Sequence, residues 1–462
     1  MEINMDEPLD FESEDTLLSA PVINQKRMKV IGLDDLLTDY YKEKSKVVER
    51  EAKRAKASKK NYNSDEDDRC KEALLSRKIN ECHNQMRDMG GEEEISIWGV
   101  QVFGNQKTPP PISFPELGSC SFLQSFTSNK LNTLVELNPE NGETFLEGLL
   151  VNGWLSKLIS RHGHVEKSIA KWTFYLMLYS SKEKLRTSAC DFWCIILSSE
   201  KKAEKLPIRI EWFPSYSDFK RALETYGFLF DFSSPAKANT DSIDRGLPIN
   251  IRRWLKFTSV CCLVRSKVPI FSPSEAEELV QYAICLSLDR QLQGLLMLLC
   301  ECMQSAISYF TDEEWSASCE KIAREVACRV PRDLNCLRAV ECISGVGTRN
   351  NDLRSAVSYQ ILLVCFNNKA TNEEEILKLL MSINVKDKNC DFFKIYIYLV
   401  LTENWLLSNP ILEYKPVIYE MWGLYLRNCS CLISSTNSKP YASKVRTKAS
   451  YLLHSSANKV VL

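Results

Sequence analysis

The organisation of this chain is decided by a punctuated stretch in its middle, Trp212-Phe213-Pro214-Ser215-Tyr216-Ser217-Asp218-Phe219-Lys220-Arg221-Ala222-Leu223-Glu224-Thr225-Tyr226-Gly227-Phe228. Pro214 lacks an N–H donor and fits poorly inside a helix, whereas Ser215 and Ser217 are candidate N-caps. Three apolar residues then recur at helical spacing: Phe219, Leu223 and Tyr226. Gly227 stands where a left-handed C-cap belongs. The stretch therefore predicts a short helix that joins two helical blocks. The alternative, which composition alone favours, is an ordinary helix with a proline-containing entry loop.

Composition favours long helices and gives no metal site. The 462 residues include only 16 Gly and 17 Pro, too few for the many turns of an all-β protein. The 18 cysteines contain no Cys-x-x-Cys pair, and Cys190 with Cys194 has the spacing of half a zinc site without a second half. Thiols scattered through apolar helical patterns behave as small hydrophobes. They indicate a reducing compartment, and we expect neither a metal nor a cofactor.

Residues 1–90 read as a largely disordered, charged N-terminal tail that contains one short amphipathic helix. The acidic start does not resemble a signal peptide, and no apolar run reaches membrane length. An apolar island interrupts the tail at residues 30–41, with one face formed by Leu33, Leu36, Leu37 and Tyr40. Such islands dock into grooves of partners, and packing on the chain's own domain is an equally good interpretation.

A basic cluster follows in the same tail, formed by Lys53, Arg54, Lys56, Lys59 and Lys60. Clusters of this kind serve as nuclear-import signals or nucleic-acid patches. The alternative is a solvated helix with internal ion pairs, which is common for mixed-charge runs. Because the cluster is purely basic, we favour nuclear import.

The rest of the chain divides into a loop region at 91–127, a first helical block at 128–232, a linker at 233–245 and a second block at 246–462. In the loop region Trp98, Val100 and Phe103 are expected to hold the segment against the folded body. In the first block one helical stripe spans residues 145–159, before Gly163 breaks the pattern, and two further helices follow. Helices of the second block are predicted at 251–265, 273–288, 292–310, 311–329, 334–343, 353–366, 373–383, 392–406, 417–432 and 445–453. The pattern predicts an all-α protein, an irregular HEAT/armadillo-like helical solenoid.

No catalytic constellation emerges from the residues. His162-Gly163-His164 reads as an ordinary helix end, and Gly345-Val346-Gly347 reads as a turn between helices, because it lacks a preceding strand and a third glycine. Two basic clusters read as solvated surface, so any DNA contact should be weak or indirect: Arg252, Arg253 and Lys256, and Lys439, Lys444, Arg446 and Lys448. We therefore predict that the chain is not an enzyme.

The turn between residues 288 and 292 is a compact polar connection between two helices. Asp289 is expected to cap the helix that follows, and Arg290 is expected to pair with another segment of the chain. A turn that holds the fold is a better interpretation of these residues than a catalytic site.

With these residues laid out, residues 129–368 resemble the CANIN domain family, named for coiled-coil SMC and Nse interaction. The likeness rests on three ordered motifs: Trp212-x-Pro214-Ser215-x-x-Asp218 with Gly227-x-x-Phe230; Leu286-Ser287-Leu288-Asp289-Arg290-Gln291-Leu292; and Ile343-Ser344-Gly345. The family includes the vertebrate localisation factor of the Smc-five/Smc-six complex, which is similar in role to Nse-six-type subunits. The N-terminal region here is shorter than the very long tails of the vertebrate members.

The resemblance implies a nuclear helical scaffold without an active site. Family members pair with an Nse-five-type partner, bind the core of the Smc-five/Smc-six complex and recruit it to damaged chromatin. By that likeness the family-motif residues are structural: Trp212, Pro214, Asp218, Gly227, Asp289, Arg290 and Gln291. The island at 30–41 becomes a tether for the SMC heads or for a partner. The alternative is a HEAT-like adaptor in transcription or ubiquitin ligation, without any link to SMC proteins.

Overall fold

The predicted all-α class is confirmed in the part of the chain that the computed structural model describes. The described residues are 78, 98–115, 120, 124, 139–198, 208–230, 247–408, 415–437 and 439–459. They form 15 α-helices, one 3-10 helix and two strands of two residues each. By internal contacts, the described residues from 98 onward belong to one compact unit.

The helices before residue 230 are α1 (Pro139–Val151), α2 (Trp154–His162), α3 (Lys167–Tyr179), α4 (Glu183–Ser198) and α5 (Tyr216–Thr225). After the 233–245 segment come α6 (Ile251–Leu263), α7 (Pro273–Ser287), the 3-10 helix (Arg290–Leu295), α8 (Leu296–Ile307), α9 (Asp312–Arg329), α10 (Leu334–Glu341), α11 (Thr348–Cys365), α12 (Glu373–Met381), α13 (Phe392–Leu407), α14 (Pro416–Cys431) and α15 (Ala442–Lys459). Strands β1 (His164–Val165) and β2 (Arg209–Ile210) pair in parallel, with His164 opposite Arg209. The sequence patterns did not predict these strands.

Most helices pack on helices close to them in sequence. α4 contacts α3 and α6, α6 contacts α8, α7 contacts α8 and α9, and α9 contacts α11. The order continues from α11 to α13, from α13 to α15, and from α15 through α14 to α12. Because α6 packs on both α3 and α4, helices from the two sides of the 233–245 segment share one continuous hydrophobic core.

Helix α5 lies at the aromatic centre of that core, as the quoted stretch predicts. The Phe219 ring stacks on Phe257 at 5.5 Å between centroids, and it meets Phe271 at 5.1 Å and Phe174 at 6.0 Å. These four rings come from α3, α5, α6 and the segment before α7. Burial of each ring is worth about 1.5–3 kcal/mol, and each ring pair adds about 0.5–1.5 kcal/mol. The central stretch is therefore the joint between the two sets of helices.

Capping residues mark the starts of many helices, at positions that the sequence predicts. The Ser272 hydroxyl accepts from Glu275 N at 3.3 Å, and Ser272 N donates to the Glu275 carboxylate at 2.7 Å. Thr311 and Glu314 form the same reciprocal pair at the start of α9. Each pair satisfies two amides that a helix start leaves without partners, and this explains why the predicted boundaries of α7 and α9 are close to the observed ones.

Four predicted helices differ from the structure, and one of them is the last helix, predicted at 445–453 and observed at Ala442–Lys459. The stripe at residues 145–159 is two helices, because Gly153 adopts the left-handed conformation at φ 70° and breaks the chain direction. Trp154, which the stripe at 145–159 would place on its apolar face, is 52% exposed. The predicted helix at 292–310 begins instead with the 3-10 turn and becomes α-helical at Leu296, and the helix predicted to start at 353 begins at Thr348.

Among the described residues, no single helix is long and apolar enough to cross a membrane. One pair passes on length and composition together, Pro273–Ser287 with Arg290–Ile307, and it is bent by 111°.

Candidate functional site

Two groups of sequence-predicted residues lie outside the described part of the chain. The import cluster (Lys53, Arg54, Lys56, Lys59 and Lys60) and the docking face (Leu33, Leu36, Leu37 and Tyr40) both belong there. These two interpretations stay predictions. The family-motif residues are all described, and the structure brings the first two motifs together through a third segment.

That segment is residues 98–107, here called the strap. It runs along the body and makes backbone bonds to both motifs. Leu229 N donates to Val102 O at 2.9 Å, and Val100 N donates to Leu288 O at 3.0 Å. Phe103 pairs with Phe228 in an isolated antiparallel bridge, and the two rings meet edge to face at 5.9 Å. The strap therefore joins chain segments that lie about sixty residues apart in sequence.

The first motif forms the start of α5. Ser215 N and Ser215 Oγ both donate to the Asp218 carboxylate, at 2.9 and 2.7 Å, which closes the helix start. Pro214 is buried directly before this cap. Trp212 packs edge to face on Phe174 at 5.5 Å between centroids. The predicted N-cap is therefore confirmed at Ser215, and Asp218 is the residue that completes it.

Gly227 ends α5 and also admits the strap. Its φ is 81°, and Phe228 N donates to Leu223 O at 2.9 Å, as in a left-handed helix end. Gly227 O accepts from Gly104 N at 2.7 Å. A Cβ at position 227 would lie 2.6 Å from the carbonyl oxygen of Asn105 and 2.9 Å from that of Gly104. Glycine is thus needed twice, for the backbone conformation and for the approach of the strap.

Asp289 connects the second motif to the strap, as Gly227 connects the first motif to it. One carboxylate oxygen accepts from Gln291 N at 2.9 Å and caps the 3-10 helix, as predicted. The other oxygen accepts from Val102 N of the strap at 3.2 Å. The residue is 5% exposed, and burial raises the pKa of its carboxyl, while the two amide bonds act in the opposite direction. Gln291 contributes its backbone amide, since its side chain is exposed.

The amino-terminal end of the strap is held by Trp98, which lies beside two guanidinium groups. Arg290 lies 5.3 Å and Arg338 lies 4.3 Å from the Trp98 ring centroid. Gly99 N donates to Asn335 Oδ1 at 2.7 Å. A Cβ at Gly99 would lie 2.6 Å from Arg290 Nε. The predicted pairing of Arg290 with another segment is therefore confirmed, and the partner is the strap.

The third motif forms a separate tight turn between α10 and α11, as the sequence predicts for 345–347. Gly345 has φ 113°, and a Cβ there would lie 2.5 Å from Asn350 Nδ2 and 2.8 Å from Gln304 Nε2. Gln304 donates to Asn350 Oδ1 at 3.0 Å and also to the Ser344 carbonyl. This amide pair connects α8 to the start of α11.

A polar cluster connects α5 to α7. The hydroxyls of Tyr216 and Tyr282 both donate to one oxygen of Glu278 at 2.6 Å, and Lys220 lies 3.3 Å from the same oxygen. Burial, together with the nearby carboxylate, raises the pKa of both tyrosines. Burial opposes ionisation of Glu278, but its two hydroxyl partners lower its pKa overall. The cluster stabilises the ionised carboxylate and holds the two helices together.

His162 and His164 lie at the junction of α2 and β1. α2 ends at His162, Gly163 is its left-handed C-cap, and His164 Nε2 lies 3.1 Å from Glu211 Oε1 beside the β1–β2 pair. The described cysteines are free thiols, and burial raises the pKa of Cys302 to about 12. No group of three His, Cys, Asp or Glu residues able to hold a metal occurs among the described residues.

The strap is the part of the site that sequence reasoning described least completely. The anchoring role of Trp98 and Phe103 was predicted and is confirmed, with exposures of 9% and 7%. Val102, fully buried at the crossing of the two motifs, was missed. The alternation Val100-Gln101-Val102 is a strand-like signal that would have found it. No protein-family model, curated protein or solved structure matches this chain.

Proposed function

We propose that this protein is a non-enzymatic helical scaffold of the nucleus, which pairs with an Nse-five-type partner and recruits or regulates the Smc-five/Smc-six complex in DNA repair and genome stability. In this proposal the helices form an irregular HEAT/armadillo-like solenoid. The support for the solenoid is that most helices pack on neighbours one or two elements away in sequence. Stacked architectures of this kind expose long surfaces that bind other proteins.

The observation that carries the proposal is the strap contact between two motifs that resemble the CANIN family. The Gly227 carbonyl and the Asp289 carboxylate each accept a hydrogen bond from a backbone amide of the strap. Motif residues with such specific backbone roles belong to a defined fold rather than to a chance pattern of letters. The function is proposed from the resemblance of these motifs to the family.

The test is a tagged pull-down of the full chain from nuclear extract with mass spectrometry, with and without nuclease. We expect nuclease-resistant recovery of the Smc-five/Smc-six core and of a second regulatory subunit. Recovery of transcription or ubiquitin-ligase subunits in place of any SMC protein would instead support the adaptor, the second candidate function. The adaptor rests on the same stacking of helices, without the motifs.

The tether part of the proposal has its own comparison. A variant L33D/L36D is expected to lose the SMC core while keeping the Nse-five-type partner, because aspartate on the apolar face prevents groove docking. The matched control is L17D/L18D, which makes the same chemical change elsewhere in the tail. Unchanged recovery from L33D/L36D, or from a chain lacking residues 1–60, would refute the tether.

Nuclear import is tested with a fluorescent fusion of the full chain. The variant K53Q/R54Q/K56Q/K59Q/K60Q is expected to lose nuclear accumulation, since the cluster would no longer bind an import receptor. A control variant, K42Q/K44Q/K46Q, removes lysines from the same charged run outside the cluster. Equal nuclear signal from all three proteins would contradict the assignment of this cluster.

A further inference from the structure

The carboxyl-terminal end of the described chain carries a basic surface where two segments meet. One segment is the turn before α13, with exposed Lys386 and Lys388. The other is the loop before α15, from which Lys439 reaches across. The Lys439 ammonium contacts the Lys388 carbonyl oxygen and lies 5.9 Å from the Phe392 ring centroid. We define the basic surface as Lys386, Lys388, Lys439, Lys444 and Arg446.

The first two turns of α15 complete this surface. The Lys444 ammonium lies 4.8 Å from the Tyr441 ring centroid, and that ring packs on Phe393 at 5.0 Å. Arg446 Nη1 donates to Ser434 O at 2.9 Å, which holds the guanidinium beside the loop. The positive end of the α15 dipole lies at the same place. Three cations of the basic surface, Lys439, Lys444 and Arg446, are therefore positioned by specific contacts.

Charge is one-sided in this part of the chain. Residues 421–462 contain six Lys or Arg residues and no Asp or Glu, although the whole chain has a net charge of only −1. Two carboxylates that lie nearby are already neutralised. Asp391 lies 3.5 Å from the Lys394 ammonium, and Glu403 lies 2.7 Å from that of Lys448. Asp387, between the two lysines of the turn, is a carboxylate within the surface, and it caps Asn389 N at 2.9 Å.

We propose that the basic surface binds the phosphate backbone of duplex DNA. Ammonium and guanidinium groups fixed along a surface match the regularly spaced phosphates of a duplex. Binding of single strands would require exposed rings on which bases stack. The ring nearest the cations, Tyr441, is instead packed between Phe393 and Tyr396, at 5.0 and 5.3 Å. The inference goes beyond the proposed function and rests on none of its premises.

The test is fluorescence anisotropy of the full chain with a labelled 30-base-pair duplex, and separately with one labelled strand of that duplex, between 50 and 200 mM KCl. The variant is K388Q/K439Q/K444Q. The matched control is K157Q/K167Q/K184Q, which removes three exposed lysines from α2, α3 and α4. Circular dichroism melts of both variants show whether each is folded, and the salt dependence of the wild-type chain is measured first.

We expect the wild-type affinity to fall steeply with salt and the variant to bind about tenfold more weakly at 100 mM KCl. Each lost phosphate contact reduces the slope of log affinity against log salt by about one. The variant slope should therefore be smaller by about two to three, and the control should behave as wild type. Absence of wild-type binding, equal losses in both variants, or binding of single strands only would each overturn the proposal.

Discussion

Substitution of Gly227 by alanine tests the strap most directly, since one added methyl group acts in two ways. The backbone at position 227 has φ 81°, and left-handed geometry costs a residue other than glycine about 1–2 kcal/mol. The new Cβ would also lie 2.6 Å from the Asn105 carbonyl oxygen, a backbone atom that cannot move without moving the strap. Displacement breaks the bond from Gly104 N to Gly227 O, worth about 1 kcal/mol.

Together these terms predict that Gly227→Ala lowers the free energy of unfolding by about 2–3 kcal/mol. Gly163→Ala is the matched control, because its φ is 76° and no heavy atom lies within 4 Å of the Cβ position. The control carries the conformational cost alone, about 1–2 kcal/mol. Urea unfolding followed by circular dichroism measures both variants.

Hydrogen exchange identifies where the difference arises. In Gly227→Ala the strap amides at Val100, Val102, Gly104 and Lys107 should lose protection, since each of them bonds the body. In Gly163→Ala they should exchange as in the wild type. If the two variants lose equal stability and the strap amides stay protected in both, then close approach of the strap is not what position 227 requires.

Three further predictions concern the same structure. Trp98→Ala should cost about 3–5 kcal/mol in urea unfolding because it empties a buried site between two guanidinium groups, whereas Trp154→Ala, at an exposed ring, should cost far less; equal losses would contradict the anchoring role. Asp289→Ala should cost about 2–4 kcal/mol, since one buried amide and one partly buried amide lose a charged acceptor, and unchanged exchange of the strap would contradict this role of Asp289. Arg265 holds the pKa of Glu314 at about 2, below its ordinary value of 4.5, so their pair stabilises the fold fully above pH 4.5 and loses this effect as the pH falls toward 2; in Arg265→Gln stability should fall less steeply over that range, and an unaltered acid profile would contradict the pairing.

Helix positions were predictable from the sequence wherever the signal was local. Ser272 with Glu275 and Thr311 with Glu314 are capping pairs three residues apart, and both form as expected. The stripe at 145–159 predicted one continuous helix, which was wrong, because the apolar spacing continues across Gly153. The backbone at Gly153 is left-handed and separates two helices there. The spacing of apolar residues indicates which side chains are buried, but it does not indicate whether the helix that carries them is continuous.

The strap could be predicted only in part, because its contacts are non-local. That Trp98 and Phe103 would be buried follows from their size and apolar character. That Val102 would meet Asp289 does not follow, because the two residues are 187 positions apart and their bond uses a backbone amide. The same limit hid the β1–β2 pair, in which each strand has only two residues. Local sequence patterns carry no information about pairings between residues that are far apart in the sequence.

The roles of the motif residues bear on how a partner should be sought. Gly227 leaves room for the strap, and Asp289 accepts a hydrogen bond from it. Gly345 leaves room for the hydrogen-bonded pair of Gln304 and Asn350. Because contacts within the chain account for all three, chains that share these motifs are expected to share a fold, whatever they bind. Binding to other molecules is then expected to depend on residues that these contacts leave at the surface, such as those of the basic surface. Variants of the motifs therefore test folding, and variants of the surface test function.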